Sequence, residues 1–419
     1  MVRLRRAAGV FVLALLSALA THAHAQTTMD EPRTIDTVRG TIRGSTRFIG
    51  LGGAFVAIAD DTEGVPINPA SAAVRLPYSW DAFSFSFGID FSIATWLPKN
   101  DVYNAPKNPD GSSGGSLFGS FAVLTNYRHA GFGISAEAEQ NVASQKAQQG
   151  VTSKLTANFG LMQPVAAYGY FDGQLLLGAG LRVLGFSIGG SGGAVPLTAG
   201  LGYTAGLIVK PKRQQFRVGA AIEQPINAEV ANDDGGPKTM VHVPWTAAFG
   251  FAYQFGQRKL NPTFVTISDR ARHNTGGRKL TQEEQKKAEK QAEKELFDSY
   301  ERDQTWYLLV SSELALIEGS ANAHIGGSTA LNRTLISPRL GLETEVIPRY
   351  LRLRAGSYLE LATTEEGHSR LHGTGGVDIK LFEWNVFGLV KPFDYWQLSL
   401  AADGARSYLN TSFSIGFWH

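Results

Sequence analysis

Two serine runs and a pair of histidines are the first residues whose types and spacing suggest chemistry. Gly189-Gly190-Ser191-Gly192-Gly193 and the run Gly111 to Gly115 around Ser113 both fit the G-x-S-x-G pattern of a hydrolase nucleophile elbow. That pattern exposes its serine only on a sharp strand-to-helix turn. Both runs lie in Gly/Ser-rich stretches with no helix to follow, so nucleophilic catalysis is not expected. Gly50, Gly52 and Gly53 miss the spacing of a dinucleotide-binding loop and lack a surrounding βαβ unit. His368 and His372 could approach each other across a loop, yet no further ligands stand nearby, and both read as surface histidines. The chain has no Cys, which removes thiolate metal centres, redox pairs and disulfides. No enzyme activity, metal or cofactor is expected.

The remaining chemistry is charge that has to be held somewhere. Glu343 and Glu345 lie on one side of Pro348-Arg349, and Arg352 and Arg354 on the other. A two-residue turn at Pro348-Arg349 sets Glu345 opposite Arg352 and Glu343 opposite Arg354, as cross-strand pairs on one face. Such pairs most simply stabilise a wall; selection of a polar substrate is the less favoured role.

The wall itself is legible as alternation. From Phe83 to Ile93 the large apolar residues Phe83, Phe85, Phe87, Ile89, Phe91 and Ile93 alternate with Ser84, Ser86, Gly88, Asp90 and Ser92. The same period of two runs through Leu175 to Val183, Ala247 to Phe255 and Phe413 to Phe417. Glu137, Glu139, Arg182, Arg339, Glu343, Glu345, Arg352 and Arg354 fall on the faces opposite the apolar ones. Apolar outside and polar inside is the membrane-barrel arrangement, and closure satisfies every backbone group in lipid. The alternation predicts an all-β fold, a transmembrane antiparallel barrel of about 14 strands. They lie near 82–96, 116–127, 130–140, 154–170, 174–188, 198–210, 214–225, 243–256, 305–318, 335–347, 350–361, 370–382, 386–402 and 409–418. Tight links at 128–129, 171–173, 211–213 and 348–349 alternate with longer ones at 97–115, 141–153, 189–197, 226–242, 319–334 and 403–408, as periplasmic turns and extracellular loops do.

By that parity the long connection 257–304 is a periplasmic insertion. Thr281 and Glu284 in it fit a capping box, and TQEEQKKAEKQAEKELFDSYERD carries pairs such as Glu283/Lys287 at helical spacing. Ala288, Ala292 and Leu296 make a narrow apolar stripe, so a solvated helix under the barrel is favoured over a docking site for a periplasmic partner through 276–303.

Residues 1–25 read as a secretory signal peptide: Arg3, Arg5 and Arg6, an apolar run, then Ala23-His24-Ala25 before the cleavage point. Cleavage removes three of the 39 basic residues, leaving 36 against 37 acidic ones. No basic cluster of the kind nucleic acid needs is present. Beyond the signal no apolar run reaches the length of a membrane-spanning helix. Glycine, at 47 of 419 residues, exceeds the average usage of about 7%. Residues 26–77 are too irregular and too rich in Gly and Ala for a lipid-facing segment. Placed at the periplasmic mouth, they can fold back into the lumen, with a short helix over Ala54–Ala59 burying Phe55, Val56 and Ile58 and stopped by Asp60 and Asp61.

The order Gly-Leu-Gly-Gly-Ala-Phe-Val-Ala-Ile-Ala-Asp-Asp over 50–61, followed by Asn68-Pro69-Ala70, resembles the N-terminal hatch of the FadL-type outer-membrane transporters of long-chain fatty acids and other hydrophobic molecules. At motif level the resemblance covers 50–73. It implies that Gly52, Gly53, Ala54, Phe55, Asp60, Asp61, Asn68, Pro69 and Ala70 belong to a hatch within 26–77, closing a barrel over 78–419 in the outer membrane of a Gram-negative cell. It also implies passive uptake of fatty-acid-like molecules, with outer-membrane lipid around the wall and no nucleic-acid partner. The insertion at 257–304 and the ending Phe417-Trp418-His419 stand outside the resemblance. The insertion favours an alternative, a plugged barrel that binds a partner in assembly or secretion. A free general porin is disfavoured by so long a plug.

Overall fold

The computed structural model describes residues 33–37, 40–75, 80–94, 100–102, 104, 114–146, 152–190, 195–230, 239–303, 305–319, 333–363, 367–383 and 395–418. The proposed signal peptide lies outside these residues, as do Ser113 and Ser191 of the two serine runs.

Strand β1 (Arg33–Asp36) precedes the barrel. The barrel wall begins with β2 (Phe83–Ile93), β3 (Gly114–Tyr127), β4 (Ala130–Lys146), β5 (Thr152–Tyr170), β6 (Leu175–Gly190), β7 (Val195–Val209) and β8 (Phe216–Glu223). Two short strands, β9 (Ile226–Val230) and β10 (Thr239–Val243), intervene before β11 (Thr246–Gly256). The wall continues through β12 (Tyr307–Ile317), β13 (Leu335–Ile347), β14 (Leu351–Glu360), β15 (Arg370–Glu383), β16 (Tyr395–Ala405) and β17 (Tyr408–Trp418). Fourteen of these strands, all but β1, β9 and β10, form one closed antiparallel barrel, with β8 paired to β11 and β17 to β2.

Closure leaves the wall two faces and no open edge. Phe83, Phe91, Leu117, Phe132, Ile134, Leu201, Ile222, Phe249, Leu314 and Leu340 are exposed on the outer face. The residues between them, among them Ser86, Asp90, Glu139, Arg182, Glu313, Glu343, Arg354 and Asp378, are buried inside. An exterior that greasy is tolerable only in lipid, so the chain is a membrane-spanning barrel. Exposed aromatics concentrate at the end carrying the tight turns: Tyr127, Tyr168, Tyr170, Phe171, Tyr253, Phe255, Trp306, Tyr350 and Phe382. Amphipathic rings there form one of the girdles that sit at a membrane–water interface.

Three links differ from the sequence reading. The link expected as a long one at 403–408 is a tight turn at Arg406-Ser407, since Ala405 pairs directly with Tyr408. The turn after β13 has three residues, Pro348 to Tyr350, with Arg349 at positive φ. A bulge at Val346 absorbs the extra residue, so Glu345 still pairs with Arg352 and Glu343 with Arg354. At the opposite, loop end, β9 and β10 fold back into the lumen and form a small sheet with β1, which pairs in parallel with β10.

The connection 257–304 carries two helices, α3 (Ile267–Asn274) and α4 (Gln282–Asp303), the numbers α1 and α2 belonging to short helices within 40–75. Only the second is anticipated from the sequence; the first is short and charged and packs on α4, with Ala271 buried and Ala292 of α4 wholly buried. Trp80 meets Phe297 and Tyr300 edge-on, with ring centroids 6.4 and 6.1 Å apart, and so pins α4 to the turn end. The capping box closes as its residues suggest: Thr281 N donates to a Glu284 carboxylate oxygen at 2.9 Å. The Thr281 backbone and hydroxyl donors hold the Glu284 carboxyl below its ordinary value. Its contribution is therefore complete above the unfolded value of about 4.3 and lost as pH falls through the lowered one. The first turn of α4 is expected to fray below pH 4 while its last turn stays protected, read as amide-exchange protection corrected for intrinsic rate; equal protection at pH 3 and pH 6 overturns this.

Candidate functional site

Residues 40–75 run through the lumen from the loop end to the turn end, rather than entering only from the turn-end mouth. Near the loop end Arg43 pairs with Glu139, and Ile42 N donates to the Tyr358 hydroxyl at 3.4 Å. Helix α1 (Thr46–Gly50) is capped by Ser45 and docked by Thr46, whose amide and hydroxyl both donate to Asp90 at 3.1 Å. Residues 51–58 cross to the opposite wall. Helix α2 (Asp61–Gly64) and the 3-10 turn Pro69–Ala73 then lead out towards β2.

The expected helix over Ala54–Ala59 is absent: these residues form a turn and irregular chain. Gly52 and Gly53 sit at φ of 60° and 76°, a left-handed turn that side-chain-bearing residues resist. The amides of Phe55 and Val56 then donate not along a helix but to one carboxylate oxygen of Glu313, at 2.9 and 2.8 Å. Arg339 on β13 grips the other oxygen of Glu313 at 2.8 Å. Phe55, Val56 and Ile58 are nonetheless wholly buried, together with Ala54, Ile49 and Leu51. Each large side chain in that group contributes about 1.5–3 kcal/mol of burial.

Asp60 does not terminate a helix but precedes one, and it bridges Arg47 at 2.5 Å and Arg217 at 3.2 Å. Asp61, at φ 57°, accepts from the Ser86 hydroxyl at 2.7 Å. Asn68 ties the segment to itself and to the wall. Its amide nitrogen donates to Val56 O at 3.0 Å and to Leu207 O at 3.2 Å, while its carbonyl accepts from Ala70 N at 3.1 Å. Pro69 opens the 3-10 turn, where a missing N–H costs nothing. Ala70 lies against Gly178.

The wall gives way to this backbone with glycine. A Cβ on Gly131, Gly178, Gly206, Gly219, Gly341 or Gly356 would strike Ala72, Ala70, Asn68, Val56, Leu51 or Gly52 respectively. Six strands therefore carry an inward glycine wherever the segment passes, which accounts for part of the high glycine content.

Glu343 is the centre of the charged face. It accepts from Arg47 Nε at 2.8 Å, Arg354 Nε at 2.7 Å and the Tyr307 hydroxyl at 3.0 Å. Arg354 also pairs with Asp378, Arg352 bridges Asp378 at 3.4 Å and Glu345 at 3.1 Å, and Arg258 closes on Glu345 at 2.8 Å. Four of these groups, Glu343, Glu345, Arg352 and Arg354, are visible in the sequence as a hairpin. Arg47, Arg258, Tyr307 and Asp378 are not, because only closure of the barrel brings them there. His372 is not a surface histidine: it is fully buried on β15, with Nδ1 2.8 Å from Asp403 and Nε2 2.7 Å from Glu360, whereas His368 is exposed at the loop end.

An apolar cavity of about 220 Å³ lies higher in the lumen, beneath the small sheet. Phe118, Phe159, Leu161, Leu184, Val243, Pro244 and Ile317 line it, with Glu137, Glu139 and Arg182 at its edge. Arg182 is tied to Glu223 at 3.0 Å and Glu139 to Arg43, which leaves Glu137, Thr37 and Thr246 as polar anchors beside the apolar floor. Of the lining residues, Glu137, Glu139 and Arg182 are placed on the inner face by the sequence, whereas the apolar ones are not. Their signal is a lapse in alternation: Val183-Leu184-Gly185-Phe186 has apolar side chains on both faces.

A closed antiparallel barrel, apolar outside, polar inside and filled by its own N-terminal residues, is an outer-membrane-type transmembrane barrel. Its fold is that of the FadL-type outer-membrane transporters. A Pseudomonas aeruginosa FadL homologue superposes with TM-score 0.51 at 12% identity, over 93% of this chain and 98% of that one. A deletion mutant of the monoaromatic hydrocarbon channel TodX superposes with TM-score 0.50 at 12% identity, over 91% of this chain and 100% of that one. No family model and no curated protein matches the chain in sequence.

Proposed function

We propose that the chain is a passive outer-membrane channel for small hydrophobic molecules, with residues 26–77 as its hatch and the turn end facing the periplasm. The apolar cavity under the small sheet carries this reading: mostly apolar walls with a few polar groups are what a hydrophobic ligand needs. The TodX likeness is in keeping with it, since that protein is described as a monoaromatic hydrocarbon channel. Volume decides what fits. An apolar cavity of about 150 Å³ takes benzene, so about 220 Å³ accepts one substituted ring or a short stretch of alkyl chain. A whole long-chain fatty acid enters only if β9 and β10 give way.

Leu161→Trp, which fills the cavity from β5, is expected to weaken toluene binding to the lipid-reconstituted barrel by about tenfold, some 1.4 kcal/mol. Unchanged binding by a correctly folded variant rejects the cavity as the site.

A second reading rests on the helical insertion. Trp80 holds α4 at the turn end while its Lys/Glu-rich face stays exposed, an arrangement suited to a periplasmic protein in assembly or secretion. Deleting 276–303 then abolishes co-purification of that partner and leaves toluene binding intact.

A further inference from the structure

Three tight turns, the exit of the N-terminal segment and the start of the helical insertion converge on a second, smaller cavity at the turn-end mouth. Arg75, His129, Lys210 and Lys212 line it, with Asp172 the one acidic group among the described residues. Asp172 is already engaged by Lys212 at 2.6 Å. Arg75 is held in place by its stack on Phe264, 4.4 Å from the ring centroid, and by donation to Asp81 O.

Lys210 is the anomaly. The residue is 9% exposed, and it makes no ion pair or side-chain hydrogen bond among the described residues. A buried ammonium is normally paired or neutral. Burial pushes Lys210 down to about 7, with the Arg217 charge adding to the shift and Asp60 opposing it. A buried lysine without a counter-ion, flanked by Arg75 and opening on a cavity, is built to receive an anion rather than to hold the wall together.

We propose that this pocket binds the terminal oxyanion, carboxylate or phosphate, of a ligand whose remainder lies in the mouth. The space is about 20 Å³, room for one water-sized group and not for a whole headgroup. The ligand therefore presents a charged tip to Lys210 and Arg75 and leaves its apolar part outside. A carboxylate-ended amphiphile leaving the lumen and the phosphate of a lipid headgroup both supply that tip. The site does not depend on the apolar cavity, which lies in the other half of the barrel.

The test is made on the full-length barrel in lipid nanodiscs after ¹³C reductive methylation of its lysines, with the Lys210 signal assigned by its loss in Lys210→Arg. Octanoate and glycerol phosphate are added separately, against chloride at equal ionic strength. The expected result is a rise of about one unit in the apparent pKa of Lys210, equivalent to a tenfold preference of the anion for the charged lysine. A shift with octanoate alone assigns the site to carboxylates; one with glycerol phosphate alone assigns it to headgroups. Lys210→Met abolishes binding of the effective anion, whereas Lys286→Met, exposed on α4, leaves it unchanged. No shift beyond that of chloride overturns the proposal, and because the shift is read on the unmutated chain, a poorly folding variant does not rescue it.

Discussion

Glu343→Ala is expected to destabilise the folded barrel by about 3–5 kcal/mol and to release residues 46–60 from the wall. The size follows from what is left behind. Glu343 is 2% exposed and accepts from two guanidinium groups and one hydroxyl, so its removal leaves Arg47 and Arg354 each one carboxylate short beside a polar lumenal cavity of about 130 Å³ that Arg47 and Glu343 line. Arg354 retains Asp378, and Arg47 retains Asp60. The loss is therefore felt most where Arg47 joins the N-terminal segment to β13. Glu343→Gln, which keeps the shape and one acceptor, should cost less than half as much. Denaturant unfolding in lipid measures the first quantity, and amide exchange over 46–60 measures the second. A change below about 1 kcal/mol, the level of an exposed pair, with unaltered exchange, removes the network from any part in holding the segment.

The wall is legible in the sequence because a lipid-facing strand has one rule, a large apolar residue at every second position, and the rule is local. The strand β13 is placed to the residue by it, Leu335–Ile347. The link at 403–408 escapes because Gly404, Arg406 and Ser407 resemble a loop, while pairing of Ala405 with Tyr408 makes it a hairpin turn. The path of residues 40–75 is illegible for a different reason. Their backbone groups are satisfied by side chains far away in sequence, as when Glu313 serves Phe55 and Val56 across 258 and 257 positions. A stretch such as Ala54–Ala59, apolar and of fair helix propensity, is therefore assigned a helix when read alone. Glu343 and Arg354 are found as a pair because one hairpin sets their register. Arg47, Arg258 and Asp378 need the closed barrel. The apolar cavity is half legible, since Leu184 and Phe186 break the alternation that Arg182 obeys, but only the fold shows that β9 and β10 cover them.

The glycines yield the second large effect. Gly219→Val is expected to drive the N-terminal segment off its seat without breaking the barrel. Gly219 lies on β8 between β7 and β11, and a Cβ there would strike Val56 O and come within 2.6 Å of Ala57 Cα. One side must yield. The wall is held by two continuous ladders and cannot, whereas residues 51–58 are turns and irregular chain. Even a well-tolerated extra methylene in a packed interior costs about 1–3 kcal/mol, and here a branched side chain meets backbone. The displaced segment would also surrender the Glu313 contacts to Phe55 and Val56. Gly416→Ala supplies the comparison: it is an inward glycine on β17 with nothing within 4 Å of its added Cβ, and it should be silent. If the segment closes the lumen, Gly219→Val turns a non-conducting barrel into one with resolvable single-channel current, while Gly416→Ala stays closed. Equal, low conductance in both, with the valine variant fully folded, means the segment is not what seals the pore.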